Sequence, residues 1–221
     1  MTRQTPFAKP CVIAVDGPAA SGKGTIARAL AAHYGLPHMD TGLLYRSAAL
    51  NLLNFGGDPG NVFEAVRACE QGSVAHDDPE LRSELVGSYA SRISAYPAVR
   101  AHLLDRQRDF AAGEGGAVLD GRDIGTVIAP DAAVKLFITA SPEVRAKRRL
   151  AELTRRGLNA HYDEVLHDIH ARDERDSRRS SAPLVQADDA QLLDTSDMDV
   201  DQAIAAAIAL ADQRLAVRKT T

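Results

Sequence analysis

One segment near the N-terminus constrains the fold of this chain more than any other. A short apolar run, Cys11–Asp16, leads into a glycine-rich turn and then into a helical pattern. In the turn, Gly17 and Gly22 let backbone N–H groups point inward, and the helix start adds the positive end of its dipole. Lys23 adds a point charge for phosphate oxygens, and Thr25 offers a hydroxyl on the metal side. The segment therefore predicts a buried parallel strand, a phosphate-binding loop and a helix.

The candidate residues of this loop form one continuous stretch. They are Gly17, Pro18, Ala19, Ala20, Ser21, Gly22, Lys23, Gly24 and Thr25. The hydroxyl comes one position later than in the strict pattern, because Gly24 follows the lysine. Gly-Lys-Gly-Thr resembles nucleoside monophosphate kinases more than GTPases, and no Asn-Lys-x-Asp base-reading motif is present. The spacing leaves open whether Thr25 contacts Mg²⁺ directly or through water, so the metal ligands are unassigned.

The rest of the chain predicts an α/β architecture. Three further strand candidates are Ala117–Asp120, Ala133–Thr139 and Gln191–Thr195. Helical patterns lie between them, one closed by Gly35 and the last running from Val200 to Leu215 at spacings of three and four residues. Strands that alternate with helices predict right-handed βαβ units and a parallel sheet.

Two stretches do not follow this alternation. Residues 56–100 have helical patterns but no convincing strand, and residues 155–183 are polar and rich in arginine and aspartate. Open α/β sheets bind ligands at the carboxyl ends of their strands. Both stretches are therefore expected to be insertions that lie over that edge of the sheet.

Composition excludes several classes of protein. The 221 residues are 45% hydrophobic and 25% charged, which are ordinary globular values. A net charge of −4 disfavours binding to nucleic acid or to anionic membranes, and two cysteines cannot form a four-thiolate zinc site. There is no apolar run of about 20 residues, and Met1–Pro10 lacks the apolar stretch of a secretory signal. We expect a cytoplasmic, single-domain protein, with a monomer as the default.

Two charged clusters lie at the ends of predicted elements, one at the start of a helix and one after a strand. The segment Asp40–Arg46 opens the second helix, with Thr41 as its candidate N-cap. Asp120, Arg122 and Asp123 follow the strand candidate that begins at Ala117, and glycines flank them. Dense charge directly after a buried strand favours a ligand site over a salt-bridged turn, although the latter stays an alternative.

Two groups of arginines have helical spacing. The first group is Arg145, Arg148 and Arg149, and the second is Arg172, Arg175, Asp176 and Arg179. An ion-paired solvated helix is one interpretation of the second group. Together with the phosphate loop, a movable arginine face that closes over phosphates is the better one. Phosphoryl transfer spreads negative charge over equatorial oxygens, and closure excludes water.

Taken in order, these motifs resemble bacterial cytidylate kinases. The five are Gly17–Thr25, Asp40-Thr-Gly-x-x-Tyr-Arg46, Asp120-Gly-Arg-Asp-x-Gly-Thr126, Arg145-x-x-Arg-Arg149 and Arg172-Asp-x-x-Asp-x-x-Arg179. The resemblance implies an α/β P-loop three-layer fold with a five-stranded parallel sheet, a monophosphate-binding insertion and a mobile lid. It also implies transfer of the ATP γ-phosphate to CMP or dCMP with Mg²⁺, and small nucleotides as the only partners.

The resemblance assigns a role to each matching residue. The catalytic group is Lys23, Arg122, Arg145, Arg148 and Arg149. The residues expected to bind CMP are Thr41, Arg46, Ser91, Arg100, Arg122, Asp123, Arg172, Asp176 and Arg179. Within that set, Arg46 and Arg122 are expected at the acceptor phosphate. Ser91, Arg100 and Asp123 are expected at the cytosine, and Arg172, Asp176 and Arg179 at the sugar.

The same resemblance divides the single domain 1–221 into three parts. The core is about 11–56, 101–155 and 184–217, the monophosphate-binding part about 57–100, and the lid about 156–183. Longer bacterial members carry a small β-sheet insert before the serine equivalent to Ser91. Here residues 72–79 are too few for three strands, so the insert is trimmed.

Two other functions remain open at this level. One is a kinase for another small acceptor, such as a different nucleotide. The other is a nucleotide-dependent switch or assembly protein without kinase activity, which would hydrolyse ATP without any added monophosphate.

Overall fold

The computed structural model describes residues 11–219, and the predicted absence of a signal in Met1–Pro10 lies outside them. Five parallel strands form one sheet in the order β2-β3-β1-β4-β5. The strands are β1 (Cys11–Asp16), β2 (His38–Asp40), β3 (Gly116–Gly121), β4 (Val134–Thr139) and β5 (Gln191–Asp194). The central position of β1 explains why its side chains are almost all buried.

Eight α-helices connect and cover the strands within residues 11–219. They are α1 (Lys23–Tyr34), α2 (Gly42–Asn54), α3 (Val62–Glu70), α4 (Glu84–Ile93), α5 (Pro97–Ala111), α6 (Pro142–Arg155), α7 (Tyr162–Arg178) and α8 (Val200–Lys219). A 3₁₀ turn at Pro79–Arg82 precedes α4, and a π-type turn at Ile124–Ile128 follows β3. None of the described helices is long and apolar enough to cross a membrane.

The sheet is the middle of three layers. On one face, Ile13 and Val15 of β1 pack with Leu30 of α1 and Ala207 of α8. The opposite face contributes Ala14, which packs with residues of α5 and of the π-type turn. Helices α2 to α5 share a separate apolar cluster, and α6 and α7 share another. The fold therefore has a three-layer core and two helical additions.

The strand register gathers the sequence motifs at one edge. Asp16 at the end of β1 pairs with Gly121 of β3, and Asp40 of β2 pairs with Asp120. The chain turns sharply at Gly17, where an added Cβ would lie 2.0 Å from the carbonyl oxygen of Ile138. Only glycine fits this close approach, so the phosphate loop can pack directly on β4.

Most of the predicted elements are confirmed. Residues 56–100 are helical without a strand, and Gly35 ends α1 in the left-handed conformation, as expected. Strand β2 escaped prediction because three residues are too few to show an alternating pattern. Thr41 stands at the N-cap position of α2, as predicted, but its side chain does not cap the helix. Its hydroxyl makes no cap hydrogen bond and instead donates to the Asp120 carbonyl (2.8 Å).

Candidate active site

A cavity of about 370 Å³ lies over the carboxyl edge of the sheet. The phosphate loop forms its floor on one side, and the start of α2 with the loop after β3 forms the other. Helices α4 and α7 close it from above. The two insertions predicted from sequence therefore lie over the edge at which an open α/β sheet binds ligands.

The phosphate loop presents its lysine inside this cavity. Gly22 stands before α1 with φ of 90°, a conformation that favours glycine, and exposes the first N–H groups of the helix. The Nζ atom of Lys23 donates to the Pro18 carbonyl oxygen (3.2 Å). Burial and the nearby Arg122 guanidinium lower the pKa of Lys23 to about 8. A bound phosphate would raise this pKa again and favour the charged lysine, so this site suits an anion.

Two carboxylates face the lysine from the ends of β2 and β3. Burial and the neighbouring Asp120 raise the pKa of Asp40. Asp120 is held by His38, whose Nε2 lies 2.7 Å from its Oδ1. The Asp120 Oδ2 atom faces Gly24, 3.5 Å from where a Cβ would lie. These two acids therefore border the phosphate loop at its first helical turn.

The oxygen atoms beside the first turn of α1 suit Mg²⁺ that arrives with a nucleotide. The hydroxyl of Thr25 and the carboxylates of Asp40 and Asp120 line the same cavity. In the described part of the chain, no group of three or more His, Cys, Asp or Glu side chains could hold a metal by itself. Magnesium commonly takes one or two carboxylates, water and substrate phosphates, so this donor set fits it.

Three arginines converge opposite the phosphate loop, and among the described residues only one of them, Arg149, is paired with carboxylates. Arg46 donates to the carbonyl oxygens of Leu81 (2.7 Å) and Ser83 (3.4 Å) rather than to a carboxylate. Burial, together with Arg172 and Arg149, lowers the pKa of Arg46 to about 10. Burial, Arg122 and Arg149 lower the pKa of Arg172 to about 10 as well. Like charges held together in this way form a site for a multivalent anion.

Helix α4 is shaped to admit two of these guanidinium groups. Arg172 donates to the Gly87 carbonyl oxygen (2.6 Å). A Cβ on Gly87 would lie 2.9 Å from Arg172 Nη2 and 3.0 Å from Arg46 Nη2. The predicted sugar residue Arg172 is thus next to the predicted phosphate residue Arg46.

The far end of the cavity holds paired charges. Arg100 Nη2 donates to Asp123 Oδ2 (2.5 Å), and Arg179 Nη2 lies 3.5 Å from the other oxygen of Asp123. Arg122 Nε donates to Asp176 Oδ2 (2.7 Å). Burial opposes ionisation of Asp176, but the Arg122 guanidinium prevails and lowers its pKa. These residues and Ser91 line the cavity, so the predicted base-facing set is brought together.

Arg145 and Arg148 do not line the cavity, although both belong to the predicted catalytic group. Arg145 donates to the Ala19 carbonyl oxygen (3.2 Å) and forms two hydrogen bonds with Asp173 (3.0 and 2.6 Å). Arg148 donates to both Thr195 oxygens (3.0 and 2.6 Å). The two side chains brace the back of the phosphate loop. Only the third member, Arg149, reaches the cavity.

Several cavity residues were not predicted as site residues. They are Arg28, Asp40, Gly42, Tyr45, Gly87, Ala90, Ser94, Asp120, Gly121, Glu152 and Ile169. Tyr45 is buried, and the Arg100 guanidinium lies 5.5 Å from its ring centroid. Asp40 was visible as the first residue of the segment that opens the second helix, and Asp120 as the last residue of a strand candidate. Gly87 and Ala90 had no distinguishing signal, since their role depends on which helix face meets the cavity.

The fold and the site together define a class of protein. A phosphate loop, an arginine cluster facing it and two helical insertions over a parallel sheet are the parts of a P-loop kinase. Two solved structures share the fold. They are an uncharacterized protein from Eubacterium ventriosum (TM-score 0.54, 18% identity, covering 93% of this chain and 99% of that one) and a gluconokinase from Sinorhizobium meliloti (TM-score 0.53, 17% identity, 96% and 97%).

Sequence comparison narrows this class to one family. The family model described as cytidylate kinase matches residues 13–213. A cytidylate kinase of Xanthobacter autotrophicus is 60% identical over 210 residues, which cover 94% of this chain and all of that protein. One from Azorhizobium caulinodans is 55% identical, covering 91% and 98%. The chain belongs to the cytidylate kinase family, which confirms the family and enzyme class that its motifs indicated.

Proposed function

We propose that this protein transfers the γ-phosphate of ATP to CMP or dCMP and releases ADP with CDP or dCDP. One observation carries the proposal: Arg46, Arg149 and Arg172 converge across a single cavity from Lys23 of the phosphate loop. Arg46 and Arg172 donate to backbone carbonyls and not to carboxylates, so they favour a bound anion. The phosphate of a nucleoside monophosphate has the charge and size to serve. The donor and acceptor phosphates then face each other.

The acceptor base is recognised at the other end of the cavity. Asp123, held by Arg100, offers carboxylate oxygens to the exocyclic amine of cytosine, and guanidinium groups donate to its N3 and O2 atoms. The 4-oxo group of uracil would face the same carboxylate with repulsion. The site therefore prefers cytosine over uracil. Ser91, whose hydroxyl accepts from Arg175 (3.2 Å), adds a polar contact at this end.

The phosphate of the acceptor binds to Arg46, Arg122, Arg149 and Arg172. Arg172 joins this group because its neighbours are Arg46 and Gly87, whereas Asp176 and Arg179 lie nearer the base end and meet the sugar. No strong general base is required, since the attacking phosphate oxygen is already an anion. Lys23 and the arginines position the reactants and stabilise the charge on the transferred group.

Mg²⁺ that arrives with ATP would supply neutralisation of the phosphate charge. Thr25, Asp40 and Asp120 are the residues that would hold it, directly or through water. Their own part in the reaction is to keep the phosphate loop and the end of β3 at a fixed separation. The hydrogen bond between His38 and Asp120 fixes the orientation of that carboxylate.

The two insertions serve as moving parts. Residues 57–100 form the monophosphate-binding part and residues 156–183 the lid, around a core of residues 11–56, 101–155 and 184–217 in one domain. Arg145 and Arg148 contribute to transfer by supporting the phosphate loop, and Arg145 also ties the loop to Asp173 of α7. Closure over both nucleotides excludes water, which would otherwise accept the phosphoryl group. The protein acts in the cytoplasm as a monomer with small nucleotides as partners.

The acceptor is tested by following ADP release with MgATP and each of CMP, dCMP, UMP, AMP and GMP. We expect strong turnover with CMP and dCMP and little with UMP. Turnover mainly with AMP would contradict the base assignment. ADP release that needs no added monophosphate would favour a nucleotide-dependent switch instead.

The site assignment is tested with Arg122→Ala. This variant should lose most phosphoryl transfer while its affinity for MgATP changes little, because Arg122 faces the acceptor. Arg92→Ala is the matched control, since Arg92 is exposed on α4. Near-normal turnover in Arg122→Ala would show that the loop after β3 does not bind the acceptor.

A further inference from the structure

One buried carboxylate lies between the two halves of the site without lining the cavity. Asp16 ends β1, directly before the phosphate loop, and only 6% of its surface is exposed. Its Oδ1 atom accepts from the Ile124 N–H (2.8 Å), and its Oδ2 atom accepts from the Gly125 N–H (2.8 Å). Both oxygens are therefore used by one backbone segment that is more than 100 residues away in sequence.

Ile124 and Gly125 begin the π-type turn that follows the Arg122–Asp123 loop, which is called the acceptor loop below. The first N–H groups of a helical turn have no partner within it and need a cap. The residue at the cap position, Asp123, gives no side-chain cap hydrogen bond, because its carboxylate is engaged by Arg100. Asp16 supplies the missing acceptors from a different element. It thereby joins the strand that carries the phosphate loop to the residues immediately after Arg122 and Asp123.

We infer that Asp16 is a positioning residue for phosphoryl transfer: it fixes the Arg122–Asp123 loop relative to the phosphate loop. This inference rests on the proposed function, because it assigns Arg122 and Asp123 to the acceptor. Transfer needs the acceptor oxygen within a fraction of an ångström of its reactive position, and a misplacement of about 1 Å can reduce the rate about 100-fold. A direct link from one nucleotide site to the other sets that distance.

Two further observations support a role beyond packing. Burial disfavours the charge and raises the pKa of Asp16 to about 6, whereas the hydrogen bonds from Gly125 and Ile124 act in the opposite direction, so the two amides are what holds this acid in place. In addition, a Cβ on Gly125 would lie 3.3 Å from Asp16 Oδ2 and 3.1 Å from Lys135 Cδ. The close approach of this amide to the carboxylate thus depends on a small residue in the loop.

The kinetic test uses Asp16→Asn, which keeps the shape but replaces one acceptor oxygen with a donor group. We expect kcat with CMP to fall about 100-fold, while the Kd for MgATP, measured by calorimetry, stays within about threefold. Asp212→Asn is the matched control, because Asp212 also accepts a hydrogen bond from another helix, from Tyr34 (2.7 Å), far from the cavity. Equal turnover in the two variants would overturn the inference.

A structural role and a positioning role are separated by a double-mutant cycle. If Asp16 acts through the acceptor loop, Asp16→Asn should cost far less than 100-fold in the Arg122→Ala background. The same loss in both backgrounds would mean that Asp16 acts elsewhere. Asp16→Ser provides a second route if Asp16→Asn does not fold, with the same kinetic expectation.

Hydrogen exchange gives a readout that does not depend on activity. The Ile124 and Gly125 amides should exchange slowly in the native protein and faster in either Asp16 variant, while β1 and β3 amides stay protected. Unchanged exchange at both amides would refute the contact in solution. If the unaltered protein showed no transfer to CMP, the proposed function would fail instead, and the exchange data would still decide whether Asp16 holds this loop.

Discussion

Replacement of Arg46 by methionine should separate acceptor binding from protein stability. Methionine keeps much of the aliphatic length of arginine but carries no charge. Arg46 has no carboxylate partner in its hydrogen bonds, which go to the carbonyls of Leu81 and Ser83. We therefore expect the variant to bind CMP poorly while its free energy of unfolding stays near or above that of the unaltered protein.

The magnitude follows from the pKa of Arg46, which burial and neighbouring arginines lower from 12.5 to about 10. Such a difference corresponds to about 3 kcal/mol of unfavourable free energy for the charged form in the native state. Solvent screening at this partly exposed side chain reduces it to about 2 kcal/mol. The lost hydrogen bonds to backbone carbonyls offset about 1 kcal/mol. The variant should thus be more stable than the unaltered protein by about 1 kcal/mol when no ligand is bound.

The same substitution should weaken binding of the acceptor, although it stabilises the fold. A charge-assisted contact to a phosphate contributes about 1.5 to 3 kcal/mol, so the KM for CMP should rise about 10- to 100-fold. Urea unfolding without CMP measures the stability, steady-state kinetics with varied CMP measures the KM, and Arg92→Met on the exposed side of α4 is the control for both. A loss of more than about 2 kcal/mol in stability together with an unchanged KM would refute the interpretation of the arginine cluster as an anion site.

Three further expectations concern single carboxylates. Asp123→Asn should lower the ratio of kcat/KM for CMP over UMP about 10-fold or more, because an amide can donate to the 4-oxo group of uracil; unchanged ratios would place base selection elsewhere. Asp173→Asn weakens the paired hydrogen bonds with Arg145, so urea unfolding should show a loss of about 1 to 3 kcal/mol, and an unaltered midpoint would count against this bond. For Asp16→Asn, stability relative to the unaltered protein should rise by about 2 kcal/mol from pH 4.5 to 7.5. The native pKa of about 6 exceeds the ordinary 3.8, so the carboxylate lowers stability as pH rises through this window, and a flat difference would contradict the burial of Asp16.

The phosphate loop could be predicted because its requirements are local. A strand, two glycines, a lysine and a helix start are all specified within residues 11–34, and each residue type has one physical reason for its position. Strand β2 could not be predicted in the same way. His38–Asp40 is strand only because it pairs with Val118–Asp120 of β3, a contact that no local pattern announces.

Side-chain direction was the harder part of the site. Helical spacing put Arg145, Arg148 and Arg149 on one face of α6, and the spacing is correct. What the side chains contact depends on distant elements, since Asp173 and Thr195 hold two of them behind the phosphate loop. The acceptor end was more predictable because dense charge after a strand already requires partners, and Asp123 has its partner in Arg100.

The arginine cluster also explains how the two helical additions can respond to the acceptor. Arg149 of α6 forms ion pairs with Glu84 at the start of α4 and with Glu152 of its own helix (2.6 Å to the latter). Both carboxylates are roughly half exposed, so each loses little on returning to water. An acceptor phosphate is a stronger partner for Arg149 than either. Binding of that phosphate would therefore release Glu84 from Arg149. The direct ion pair between α4 and α6 would be replaced by a contact through the ligand, so occupancy of the acceptor site is coupled to the separation of these helices.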